Sequence, residues 1–293
     1  GVMIRSKNFV AEAVRRPDGE IVLRTEPANS FLQKHPWLRL PFIRGAPALL
    51  DALRIGFRGL IYSADVAIEA EGEKPPSRLY YALTFTVALA AGIVLFVILP
   101  SLALQPFEGH HFLLNALEGL LKIVIFIGYI LVVSRSRDIR RIFQYHGAEH
   151  KVINAFEAGK EISKEAAKDF RTVHVRCGSS FIMLVIFVAI LVHAVAGWPE
   201  WYIRLPLRIL MLVPIAGISY EVMKLAASPK ASWLAKIVTA PGLWLQSLTT
   251  KEPDDDQLEV AIASLNAVLK AEEAAAEEKA ESNAEAAVGQ EAT

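Results

Sequence analysis

The chain of 293 residues carries 31 basic and 31 acidic side chains, so no excess of positive charge argues for nucleic-acid binding. Its hydrophobic share of 53% and mean hydropathy of +0.35 are high for a soluble protein and direct attention to membrane segments. A single cysteine, Cys177, excludes an intrachain disulfide framework and leaves that thiol inert, reactive or a ligand.

Residues 1–36 hold two β-branched runs, "NFVAEAV" and "EIVLRT", around Pro17-Asp18-Gly19. Proline fixes φ and glycine accepts a positive φ, so the stretch reads as a β-hairpin that must pack on the rest of the chain. Residues 37–78 bring Leu49, Leu50, Leu53, Phe57, Leu60 and Ile61 at helical spacing among Arg39, Arg44, Arg54 and Arg58. That is the pattern of a helix lying on an anionic membrane surface, or of an ordinary soluble amphipathic helix.

Four apolar runs follow, at 79–104, 112–133, 179–198 and 205–227, each long enough to span a bilayer. The second contains Glu118 and Lys122, four apart and able to pair on one face. The fourth contains Arg208 near one end, and Glu221 beside Lys224 near the other as an expected bridging pair. His110, His111 and His193 are read as structural. The loops after the first and third runs are poor in Lys and Arg, whereas "SRSRDIRRIF" follows the second. The positive-inside rule then places both termini and loop 134–178 in the cytoplasm of a multi-pass protein.

Within residues 228–270, the stretch 232–250 is apolar but interrupted by Pro241-Gly242, which suggests an interfacial or re-entrant element. A soluble helix follows, capped by Asp254 or Asp255 and striped by Leu258, Ile262, Leu265 and Leu269. Residues 271–293 are Ala/Glu-rich and read as a frayed helix or disordered tail. The fold class is therefore a mainly α membrane protein: about four transmembrane helices, cytoplasmic or interfacial amphipathic helices, and a small N-terminal β-hairpin.

The stretch "FQYHGAEHK" in loop 134–178 carries the chemistry. On a helix His146 and His150 stand one turn apart on one face, with Glu149 on the rim, in the inverted zincin order His-x-x-Glu-His. Ile142, Ile153 and Phe156 share that face, so the imidazoles are expected to point into packing. A buried polar group needs a partner, which zinc or another divalent metal would supply. "RTVHVRCGSSF" offers His174 and Cys177 on the same expected side of the membrane. Together the four could close a structural site. Alternatively, three could bind metal beside an open position, with Glu149 as the catalytic general base. Glu252, Asp254 and Glu259 are further acidic candidates. The bland alternative is a hydrogen-bonded histidine pair without metal, with Cys177 a small buried residue.

"FQYHGAEHK", "HVRCGSSF", "AGISYE" and "PGLWLQSLTTKEPDDDQLEVAI" resemble the YqhQ-like family of bacterial membrane proteins, a group of unknown function. The resemblance covers roughly residues 1–265 and implies the bacterial cytoplasmic (inner) membrane. "GVMIRS" looks like the tail of the family's Gly-rich N-terminal motif, which implies that a few residues precede it. Members are labelled predicted metal-dependent enzymes, and the family's polar motif falls on His146, Glu149, His150, His174, Arg176 and Cys177. Val175 stands where the family usually has Pro, a change that would loosen the loop holding His174. Two functions follow as expectations. One is a metal-dependent, hydrolase-like enzyme of the lipid bilayer. The other is a non-enzymatic scaffold or assembly factor acting through a homo-oligomer or a membrane-protein partner. Neither involves nucleic acid.

Overall fold

The computed structural model describes residues 1–105, 107, 110–195, 197–226 and 233–291. Three strands open the chain: β1 (Val2–Arg5), β2 (Phe9–Arg15) and β3 (Ile21–Pro27), antiparallel in that order. The expected hairpin is β2–β3. Its turn has Gly19 at φ 93° and the Asp18 carboxylate accepting from the Glu20 N–H at 3.0 Å. The addition is β1, which pairs Val2 with Ala13 and Ile4 with Ala11. Strand β2 is thus central and buried on both faces.

The short helix α1 (Phe31–Lys34) leads to α2 (Gly45–Ala70). Leu50, Leu53 and Leu60 stand exposed on α2, an apolar stripe on one face. The helix is tied to the sheet by Arg58–Glu26 and to the first span by the Tyr81 hydroxyl on Asp65 at 2.6 Å.

Among the described residues four helices are long and apolar enough to cross a membrane, and they match the expected spans. The first comprises α3 (Arg78–Ile93), a π-helical turn (Val94–Ile98) and α4 (Leu99–Ala103). Pro100 lacks an N–H and crowds the preceding turn, and the widened turn accommodates it. The others are α5 (His111–Val133), α8 (Gly178–Val195) and α9 (Trp201–Ala226), with α6 (Arg137–Glu157) and the short α7 (Lys164–Lys168) between α5 and α8. Glu118 does pair with Lys122, at 2.8 Å, and Arg208 from α9 joins the same carboxylate. Glu221 pairs instead with Arg44, which donates Nε to it at 2.6 Å, so the expected Glu221–Lys224 bridge is replaced by a contact across 177 residues. The exchange is enforced by backbone proximity: a Cβ on Gly217 would lie 1.8 Å from the Phe42 carbonyl oxygen.

Residues 233–249 form one helix, α10 (Trp233–Thr249), rather than two pieces broken at Pro241. Gly242 serves close approach: a Cβ there would sit 2.8 Å from the Ser180 Cα of α8. Ser232 lies outside the described residues. Helix α11 (Asp255–Glu291) starts with a capping box, the Asp254 carboxylate accepting from Gln257 N–H at 2.8 Å and Gln257 Oε1 accepting from Asp254 N–H at 3.0 Å. Its expected stripe packs on β1, β2 and α6, with Leu258 and Leu265 buried; each such leucine contributes about 1.5–3 kcal/mol. The helix continues to Glu291 through the Ala/Glu-rich stretch; residues 292–293 lie outside the described residues.

Helix α6 is the hinge between this core and the site. Its core face is Tyr145, Ala148, Val152 and Ala155, all buried at three-to-four spacing. Ile142 and Phe156, expected on the packed face, are exposed because the sheet and α11 take the neighbouring stripe.

Candidate metal centre

The site forms where α6, the N-terminus of α8 and the C-terminus of α10 meet at the end of the bundle carrying Val133 and Gly178. Two glycines allow the approach. Gly242 seats α10 against α8, and Gly147, inside "HGAEH", lets the chain after α10 cross α6. A Cβ on Gly147 would lie 2.1 Å from the Lys251 carbonyl oxygen, and Lys251 N–H donates to Phe143 O at 2.9 Å.

Three ligand-type side chains converge. His146 Nε2 lies 3.2 Å from Cys177 Sγ, and the His146 and His150 ring centroids are 4.4 Å apart. Ligand atoms of His146, His150 and Cys177 all lie within 4.8 Å of one another. Tetrahedral ligands of one zinc stand roughly 3.5 Å apart, so the three lie near the spacing that a common ion would need.

The two rings are held in one tautomer. His146 Nδ1 faces Thr249 O at 3.0 Å, and His150 Nδ1 faces Thr172 O at 2.6 Å. A carbonyl oxygen only accepts, so each Nδ1 carries a hydrogen and donates it. The Nε2 atoms are left to face the sulfur. Nδ1–H on a backbone carbonyl with Nε2 turned inward is the support that metal-binding histidines use.

Electrostatics favour the anionic sulfur. Burial disfavours a Cys177 thiolate, but hydrogen bonds from His146 and His150 and the charge of both rings bring the thiol down to about 5. Burial likewise opposes charge on His146, yet the Cys177 sulfur, Glu149 and the Thr249 carbonyl raise it to about 9. Cys177 also immediately precedes α8, whose first-turn dipole favours negative charge, and Ser179 N–H points at Sγ at 3.4 Å. Without a metal these shifts favour an imidazolium at His146 beside a thiolate at Cys177, with Nε2–H donating to Sγ; a bound cation would take the place of that proton. Burial holds the Glu149 carboxyl above the usual range; His146 and His150 pull the other way and Cys177 adds to the rise.

His174 is not brought into this triad. Its Nδ1 accepts from Arg176 N–H at 3.3 Å and its Nε2 faces Glu157 Oε2 at 3.3 Å, so both nitrogens are engaged. Arg176 shares Glu157. The acidic candidates also lie elsewhere: Glu252 binds Lys151 at 2.6 Å, Asp254 caps α11 and Glu259 binds Arg15 at 2.7 Å.

Sequence reasoning missed Gln246. Fully buried on α10, it accepts from His174 N–H at 2.8 Å and donates to His174 O at 2.9 Å and to Ser180 Oγ. This clasp fixes the loop that delivers Cys177 and the Thr172 carbonyl. The one available signal is a polar residue in the apolar run "PGLWLQSLTT", where an amide needs partners.

A family model described as "Protein of unknown function (DUF1385)" matches residues 40–271. The "Uncharacterized protein YqhQ" of Bacillus subtilis (strain 168) is 34% identical over 288 residues, covering 93% of this chain and 90% of that protein. No solved structure matches the chain.

Proposed function

The chain belongs to the DUF1385 family, the YqhQ-like proteins, and from that premise we propose that His146, His150 and Cys177 bind one divalent cation, zinc before others. The observation that carries this reading is the pair of Nδ1–H bonds to Thr249 and Thr172, which turn both Nε2 atoms toward one thiolate. Two imidazoles and a thiolate are a borderline-soft donor set that suits zinc. Three protein ligands leave a fourth position, where a zinc ion would lower the pKa of a bound water to about 7. Glu149, whose carboxyl is held above the usual range by burial and whose charge interacts with both histidines, would take a proton from such a water as general base. His174, held by Glu157 and Gln246, orients the loop rather than joining the ligands. The reaction class is hydrolysis at the membrane edge. By the charge bias of the loops, the site and both termini face the cytoplasm of the bacterial inner membrane.

A second reading rests on a different observation. The His146–Cys177 ion pair satisfies both groups without metal, so the centre would also serve as a polar pin in a scaffold or assembly factor that works through oligomer or partner contacts. Elemental analysis of the full chain, purified in detergent without chelator, separates the two. Stoichiometric zinc, lost in His146→Ala and Cys177→Ala and kept in His174→Ala, is the expected result. A metal-free, correctly folded wild type refutes the metal reading.

A further inference from the structure

At the opposite end of the bundle from the candidate metal centre, buried cations outnumber buried carboxylates among the described residues. Arg208 donates to both carboxylate oxygens of Glu118 and to Asn115 Oδ1 at 3.3 Å, while Lys122 shares the same carboxylate. Arg204, one turn away on α9 and only 4% exposed, stacks on the Trp198 ring at 3.9 Å and makes no side-chain hydrogen bond or ion pair among the described residues. Guanidinium does not deprotonate in proteins, so two obligate positive charges face one buried carboxylate even before Lys122 is counted. Glu200 stands at the mouth, exposed and without an ion pair among the described residues. His193 Nε2 is buried there with no hydrogen-bond partner among the described residues. In a bilayer, where unpaired charge is costly, such an excess calls for an anion.

Space accompanies the charge. A cleft of 370 Å³ lies at the helix ends against Arg204, His111 and Trp201. A chamber of 220 Å³ lies deeper among all four spans, with Asn115, Glu118, Lys122, His193 and Arg208 at one side, the Glu118 carboxylate already engaged by Arg208 and Lys122, and apolar walls elsewhere. A small pocket of about 10 Å³ bordered by Arg204 and Arg208 lies between them, sharing His193 with the chamber and Pro199 with the cleft. Ile209 and Leu212 wall the chamber and are also exposed on the lipid-facing outside of α9. A polar entrance with cations leading to an apolar chamber matches an anionic head with a hydrocarbon tail.

We infer that this tract binds an anionic membrane amphiphile, its phosphate or carboxylate headgroup held by Arg204 beside Arg208 and its chain reaching into the chamber. The site is separate from the zinc reading and stands or falls without it. Native mass spectrometry of the full chain in detergent, titrated with dioleoylphosphatidylglycerol, dioleoylphosphatidylcholine or inorganic phosphate, tests it. The expected result is retention of one phosphatidylglycerol at a concentration where phosphatidylcholine is not retained. Arg204→Gln should weaken that retention at least tenfold. Ala189→Trp, which fills the chamber without changing charge, should abolish it. Equal retention of the two lipids by the wild-type chain overturns the proposal, as does phosphatidylglycerol retention unchanged in folded Arg204→Gln. Saturable binding of inorganic phosphate with no selective lipid retention overturns the amphiphile and leaves a small-anion site in its place.

Discussion

Replacing Gly147 with alanine tests how the site is assembled. The added methyl carbon would stand 2.1 Å from the Lys251 carbonyl oxygen, where ordinary contact needs about 3.4 Å, so the obstacle is backbone and must move by more than 1 Å. Overpacking of this kind costs about 1–3 kcal/mol, and displacing Lys251 also strains its hydrogen bond to Phe143 O at 2.9 Å, worth about 1 kcal/mol. The helix propensity of alanine over glycine returns at most about 1 kcal/mol. A net loss of roughly 1–3 kcal/mol is therefore expected, read as a fall of roughly 3–10 °C in the melting temperature of detergent-solubilised protein. Because Lys251 lies two residues after Thr249, the carbonyl that orients His146 should shift too, and zinc content should fall with stability. Gly56→Ala is the control: nothing lies within 4 Å of a Cβ there, and the helix should be unchanged or slightly stabilised. If Gly147→Ala melts with the wild type and keeps its metal, the close crossing of α6 by the Lys251 segment is wrong.

Other consequences follow from the same contacts. In metal-free protein, Cys177 alkylation should be fast and flat above about pH 6 and fall as pH drops through about 5, because the thiolate is the nucleophile; His146→Ala should move that inflection upward, and a wild-type inflection near 9 would contradict the ion pair. Gln246→Leu, which removes both bonds to the His174 backbone and the one to Ser180, should cost about 2–4 kcal/mol and loosen Cys177, detectable as faster thiol modification and lower metal affinity. Asp254→Ala should cost about 1 kcal/mol by removing the first cap of α11, and urea denaturation that shows no change would argue against the capping box. Glu118→Gln leaves Arg208 and Lys122 around a neutral amide, and a loss of about 3–5 kcal/mol is expected, measured by thermal denaturation in detergent.

Much of this architecture could be read from local patterns. The four spans follow from apolar length, the β2–β3 turn from Pro17-Asp18-Gly19, and the α11 stripe from leucines at helical spacing, because each is set by neighbours in sequence. Within the site, His146 and His150 were legible for the same reason: residues four apart on a helix share a face whatever the helix packs against. What escaped depends on distant segments. Val2–Arg5 is too short to announce a strand and exists because β2 offers an edge. Glu221 looked paired with Lys224 until Arg44 was brought to it by the crossing of Gly45 and Gly217 against backbone. His174 looked like a ligand because its spacing from Cys177 suits one; the Glu157 carboxylate and the Gln246 amide that turn it aside come from α6 and α10. The carbonyls of Thr172 and Thr249 leave no mark in sequence at all, since any residue supplies one.

The central claim is that one ion sits between two imidazoles and one thiolate. Zinc K-edge absorption on the full chain, loaded with one equivalent and washed, measures those ligands directly. The account predicts one sulfur at about 2.3 Å and two or three nitrogen or oxygen neighbours at about 2.0–2.1 Å, with the sulfur shell lost in Cys177→Ser. A zinc shell without sulfur, or no zinc retained after washing, would contradict it.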